Sequence, residues 1–137
     1  MSARVTLDGM GALIQAMTDA PDEIRAEGMD IIREETEATA SGLRAAYPRR
    51  TGTLQSRVRT VYPSSTILLG IVRSQAPHAS IWHFGTATRR TRRGANRGAM
   101  PQATPEPLVP LARRHRARMF DRLKGLLVRM GFTVTSP

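Results

Sequence analysis

The sequence predicts an α+β domain: a long N-terminal helix, a small, mostly antiparallel sheet, an Arg-rich loop, and a C-terminal helix packed on the sheet. Three observations predict it. Apolar residues recur at helical spacing over 22–46 and again over 107–130. Two short runs of strand character flank the turn Pro63-Ser64-Ser65. From Arg89 to Thr104 no period survives, and Gly94, Gly98 and Pro101 punctuate the stretch.

Leu13, Ile14 and Met17 stand at helical spacing, so residues 1–20 are expected to form an arm or a short helix over Leu7–Met17. Thr18-Asp19-Ala20-Pro21 ends that segment and starts the long helix. Pro21 suits a first turn, where its missing N–H costs nothing, and Asp22 and Glu23 suit the positive end of the helix dipole. Ile24, Ile31, Ile32, Ala38 and Leu43 then form one apolar face, with Glu27, Arg33, Glu34 and Glu37 largely outside it. Glu35 falls inside the apolar face and breaks the pattern. Gly28 and Gly42 each weaken such a helix by about 1 kcal/mol relative to Ala, which points to close packing against another backbone. Pro48 ends the helix, because the residue before a proline avoids the helical region.

Residues 53–62 alternate, with Leu54, Ser56, Val58 and Thr60 on one side and Gln55, Arg57 and Arg59 on the other, as in a strand with one wet face. After the turn, Thr66 to Arg73 reads as a second strand, nearly apolar on both faces, giving an antiparallel hairpin. Pro77 to Phe84 is expected to be a helical turn feeding a strand over Phe84–Thr88. The Arg-rich loop follows over 87–104. The last helix should run from about Pro107 to Met130 with Gly131 as its stop, leaving 132–137 as a frayed tail or short edge strand.

At 137 residues this is the size of one domain. The 40% hydrophobic content supports a core, and the 4% aromatic content means that Leu, Ile, Val, Met and Ala build it. No apolar run approaches the roughly 20 residues of a membrane span, and the N-terminus lacks the pattern of a signal peptide. Without cysteine there is no disulfide framework or thiolate metal site. The expectation is a soluble protein made in a cytoplasm, with no membrane partner.

Charge is unevenly divided. Residues 1–48 hold four arginines against nine acids, net −5, whereas residues 49–137 hold 17 basic residues against Glu106 and Asp121, net +15. Lys124 is the only lysine. The planar fork of arginine suits bidentate contact with phosphate or carboxylate. Either the basic half meets nucleic acid, or it meets the acidic half of a neighbouring subunit. The candidate contacts are Arg89, Arg90, Arg92, Arg93 and Arg97 in the Gly-rich segment, continued by Arg113, Arg114, Arg116 and Arg118. The bland alternative is a solvated charge run. With no recognition-helix pattern and no interleaved aromatics, phosphate contact here would be independent of sequence.

Catalysis finds little support. Hydrolytic triads, phosphate-cradling loops and HExxH zinc sites are absent from the sequence. His78 and His83 are five apart, off a common helix face, and His115 is distant, so all three are expected in structural roles. Trp82 and Phe84 are expected as core or hinge anchors, and Gly52 and Gly85 as turn positions. No enzyme activity and no cofactor are expected.

Three blocks carry a resemblance: AYPRRTGTLQSRV (46–58), HASIWHFGTATRR (78–90) and TPEPLVPLA (104–112). In order and spacing they resemble the small neck and tail-completion proteins, the head–tail joining or minor tail components, of long-tailed phages. That family's pattern matches Pro48, Thr51, Gly52 and Leu54, then Trp82, Phe84, Gly85 and Thr86, then Pro105, Pro107, Leu108, Pro110 and Ala112. Where the family usually carries an acid before Phe-Gly-Thr, this chain has His83. The resemblance covers roughly residues 20–130. It implies a structural virion protein at the head–tail junction, assembled in the host cytoplasm as a six-fold or twelve-fold ring. Its partners would be neighbouring neck, connector and tail proteins, and DNA in the channel. The same pattern fits a tail terminator, the ring that caps the tail tube. A reading of another class is a non-specific double-strand DNA-binding accessory protein. In the ring, an acidic interface of Glu27, Glu34 and Glu37 is expected to receive the basic arm of a neighbour.

Overall fold

The chain runs β1 (Arg4–Thr6), α1 (Gly9–Thr18), α2 (Asp22–Ala46), α3 (Thr53–Ser56), β2 (Val58–Val61), β3 (Ile71–Ser74), α4 (Ala79–Phe84), β4 (Thr86–Arg90), β5 (Asn96–Met100), α5 (Leu108–Arg129) and β6 (Thr133–Thr135). This is a computed structural model; it describes residues 4–6, 9–49, 51–64, 67–90, 92–101 and 106–135, and the side chains of 4–6, 87–89, 97, 100 and 135 lie outside that description. The α+β class holds, with the long helix α2 early and α5 late.

Helix α2 is the spine. Asp22 and Glu23 occupy its first turn and Arg44 its last, and Tyr47 leaves it in extended conformation just ahead of Pro48. Its buried stripe runs from Ile24 through Ile31, Ile32 and Ala40 to Leu43. Helix α5 lies antiparallel along that stripe and packs most densely there, while α2 in turn carries β2 and β3. Gly28 and Gly42 do mark close approach, but to side chains rather than to backbone. Met17 and Leu123 crowd Gly28, and a Cβ on Gly42 would meet Leu111 at 3.0 Å.

The core falls into two apolar clusters. One joins Leu13 and Met17 of α1, Ile24 to Ile32 of α2, Leu68, and Leu123, Leu126 and Leu127 of α5. The other joins Ala40, Leu43, Tyr47, Leu54, Val58, Ala76, Ala79 and Leu111. Between them along α2 sit the buried polar residues Glu35, Thr36 and Thr39, with His115 of α5.

The strands form three two-stranded ribbons: β2–β3 and β4–β5 antiparallel, β1–β6 parallel. The strand expected over 53–62 begins only at Val58. Gly52 sits at φ 72°, and Ser56 N–H bonds to its carbonyl at 2.9 Å, so Thr53–Ser56 closes a helical turn instead. Leu54 and Val58 are four apart and fit a helical face as well as an alternating one; local hydrogen bonding decides. The second strand starts at Ile71 rather than Thr66. Leu69 N–H bonds back to Ile67 C=O at 2.9 Å, a tight turn that leaves Ile67 and Leu69 exposed and Leu68 buried.

The largest correction concerns the Arg-rich loop of 87–104. Thr86–Arg90 and Asn96–Met100 pair as the β4–β5 hairpin, with Thr86 opposite Met100 and Arg90 opposite Asn96. Register irregularities between these pairs, with Gly94 and Gly98 at positive φ, break the alternation that would have announced it. Residues 102–105 of the same segment lie outside the described residues. The helical turn before it is as expected, and Gly85 at φ 70° makes the sharp passage from α4 to β4. Gly131, at φ 90°, stops α5, and the chain then pairs as β6 with β1 in place of a frayed tail.

Candidate interaction surfaces

The acids of α2 meet the basic residues of α5 within one chain. Glu27 pairs with Arg129 at 2.8 Å, Glu34 pairs with Arg122, and Glu35 receives Arg122 at 3.1 Å and His115 Nδ1 at 2.9 Å. Glu37 instead accepts the hydroxyls of Thr60 at 2.7 Å and Tyr62 at 2.9 Å. Glu27, Glu34 and Glu37, expected to serve a neighbour, are therefore already engaged in cis. The spacing of Glu27 and Glu34 along α2 matches that of Arg129 and Arg122 on an antiparallel α5, so this intramolecular pairing needs no assembly.

Glu35 is the buried member of the set. Burial pushes its carboxyl up. The hydrogen bonds from His115 and Arg122, with the charge of Arg118, outweigh that and hold it below its ordinary value. The carboxylate fixes the proton of His115 on Nδ1, the nitrogen facing it. Sequence reasoning saw Glu35 only as a blemish; that blemish was the signal, since a buried acid requires a cationic or donor partner.

A second buried network joins the three sequence blocks 46–58, 78–90 and 104–112. Tyr47 Oη lies 2.6 Å from His83 Nε2, and His83 Nδ1 lies 2.5 Å from Glu106 Oε1. Glu106 also accepts the backbone N–H groups of Leu108 at 2.7 Å and Val109 at 3.0 Å, capping α5. Burial raises the Glu106 carboxyl, but those two amides and His83 hold it below the usual carboxylate value. With Glu106 ionised, His83 donates from Nδ1 and accepts the Tyr47 hydroxyl at Nε2. Tyr47 and His83 are 3% and 2% exposed, so this acid–imidazole–hydroxyl line is packed shut. It ties the end of α2 and helix α4 to the start of α5.

Around it the motif residues take different parts. Trp82 is half-buried and edge-on to Tyr47, with ring centroids 5.1 Å apart. Leu54 is buried, whereas Pro48 and Thr51 are exposed. Thr51 Oγ1 accepts the Thr53 N–H at 3.4 Å, and Gly52 and Gly85 hold positive φ as turns. Thr86 heads β4. Phe84 contradicts its expected role as an anchor: it is 58% exposed. On the short helix α4 the face that buries Ala79 and His83 turns Phe84 outward. Pro105 lies outside the described residues.

The basic candidates are open. Arg113, Arg114, Arg116 and Arg118 are exposed on α5, and Arg90, Arg92 and Arg93 are exposed on the β4–β5 hairpin. Arg89 and Arg97 belong to β4 and β5, with side chains outside the described residues. Among the described residues, Arg118 comes within 3.9 Å of Glu35, while Arg90, Arg92, Arg93, Arg113, Arg114 and Arg116 have no ion-pair partner. An apolar groove of about 660 Å³ runs between α2, α5 and the segment 67–72, with Glu35 and His115 in its lining.

Among the described residues no cluster of metal-ligating side chains occurs, and no helix is long and apolar enough to cross a membrane. Comparison with family models, curated proteins and solved structures finds no match to this chain.

Proposed function

We propose that this protein is a structural component of a tailed phage or phage-like particle, forming a ring at the head–tail junction that joins or completes the tail. The observation that carries this reading is the convergence of Tyr47, His83 and Glu106. The three blocks that resemble neck and tail-completion proteins each supply one member of a single buried network, so they behave as parts of one design. His83 stands where that family has an acid, and the acid here comes from Glu106. A neck protein needs a rigid domain with outward-reaching contacts, and the open arginines of the β4–β5 hairpin supply such an arm. Because Glu27, Glu34 and Glu37 are engaged in cis, the arm's partner in this reading is a neighbouring neck, connector or tail protein, or DNA in the channel. A tail terminator would use the same features.

The test is negative-stain microscopy of particles made with the gene disrupted. Filled heads beside separate tails, restored to whole virions by added protein, support joining. Tails of abnormal length support the terminator. Normally joined particles overturn both and favour the accessory DNA-binding reading, which the unpaired arginines also suit.

A further inference from the structure

The outer face of the β2–β3 ribbon carries a feature that neither the ring nor the β4–β5 arm uses. Arg59 and Arg73 are direct cross-strand partners. Gln75 N–H bonds to Arg57 C=O at 3.0 Å, so Arg57 stands at the end of the ribbon, next to the strand that carries Arg59. The opposite face is the buried one: Val58 is fully buried, Thr60 bonds to Glu37, and Gly70 lies against Thr36. All three arginines are exposed, and among the described residues none has an ion-pair partner.

Directly opposed side chains in such a ribbon have Cβ atoms about 5 Å apart, and like charges there destabilise the pairing. A fold that keeps two guanidinium groups opposed, with a third exposed arginine at the ribbon's end, holds a repulsion that a bound anion would relieve. Arg59 spends one nitrogen on the carbonyls of Ser56 at 2.7 Å and Val58 at 3.1 Å, which fixes its stem and leaves its other donors outward.

We propose that Arg57, Arg59 and Arg73 form a phosphate-binding site that grips the backbone of double-stranded nucleic acid. Glu27, Glu34, Glu35 and Glu37 are engaged in their own chain, so among the described residues the acids that a second copy could offer are the scattered Glu23, Asp30 and Asp121, a poorer match to opposed arginines than a phosphate backbone. Arginine's fork matches phosphate, and the absence of an aromatic from this face favours backbone contact with a duplex over stacking on single strands. The inference is independent of the ring reading.

The test is fluorescence anisotropy of the purified full chain with a labelled duplex at several salt concentrations, paired with thermal melts. Arg73→Glu places opposite charges across the ribbon, and Arg59→Thr with Arg73→Thr removes the repulsion using a good strand former. Both variants are expected to melt a degree or more higher than the wild type and to bind duplex more weakly. Each phosphate that is no longer neutralised should lower the log–log salt slope by about 0.9, which is roughly eight-fold in affinity at 0.1 M salt. The same weakening should appear in a background carrying Arg90→Ser, Arg92→Ser and Arg93→Ser. The proposal is overturned if the wild type binds no duplex, or if the slope is unchanged in these variants. It is also overturned if polyglutamate competes as well as duplex of equal charge and depends on the same arginines, which would make the partner an acidic protein.

Discussion

The Tyr47 hydroxyl and the His83 imidazole lie 2.6 Å apart across 36 residues of sequence, and Glu106 holds the far side of the same ring. Each group answers a need of the others. The hydroxyl is buried and requires an acceptor, the imidazole requires both a donor and an acceptor, and the first amides of α5 require an acceptor as well.

Glu106→Ala should therefore cost more than an ordinary cap. It removes the acceptor of two helix amides and of His83 together, about 2–3 kcal/mol. Tyr47→Phe keeps the ring against Trp82 and should cost about 1 kcal/mol. Urea unfolding of both variants checks the order; equal losses would mean that the network contributes little beyond packing.

Glu35→Ala leaves His115 and Arg122 without their shared carboxylate and should cost about 3 kcal/mol in the same measurement. Both Glu35 and Glu106 are held below the ordinary value of 4.5 in the folded chain. Their contribution is full above about pH 4.5 and is lost as pH falls through the lower folded values. Melting temperature should thus drop on acidification below that point, and more gently for Glu35→Gln than for the wild type.

Gly70 faces Thr36, and an added Cβ would collide with the Thr36 hydroxyl, which is itself bonded to Ile32 C=O at 2.6 Å. Gly70→Ala should destabilise by about 1–3 kcal/mol. Adding Thr36→Ala should recover part of that stability, and a double-mutant cycle reads the coupling.

Phe84 and Trp82 separate packing from partner recognition. Phe84→Ala should change stability by less than about 0.5 kcal/mol, as for an exposed side chain. Trp82→Ala should cost about 2–3 kcal/mol, because it removes the indole that packs against Tyr47. Loss of particle joining by Phe84→Ala at full stability would assign the exposed ring to a partner.

Charge reversal of Arg89, Arg90, Arg92 and Arg93 should abolish joining in a reconstitution assay while leaving the melting curve of the isolated chain in place. A joined particle after that change rules out the arm.

Both long helices were legible because their apolar faces repeat over several turns and end at Pro48 and Gly131, positions with a clear physical reason to stop. The β2–β3 pairing was legible as well, since Pro63-Ser64-Ser65 separates its strands. The β4–β5 hairpin was not, because glycines at positive φ and register shifts erase a period of two. The engagement of the α2 acids was hidden for another reason. Net charge by segment says that two regions are complementary, but only the antiparallel run of α5 says that they satisfy each other. The exposure of Phe84 is set by which side of a six-residue helix buries His83, and that depends on Tyr47 and Glu106, both far away in sequence.

The polar layer between the two core clusters has one more consequence. Leu111 and Met119 flank His115 at one helical turn on either side. Sliding α5 by a turn along α2 would keep apolar residues against apolar residues over much of the length, but it would set a leucine or a methionine against Glu35. A carboxylate stranded in that way costs several kcal/mol. The Glu35–His115 pair thus works as an alignment key: it selects one register from several that the leucines alone would accept, and so keeps every copy of the chain the same shape.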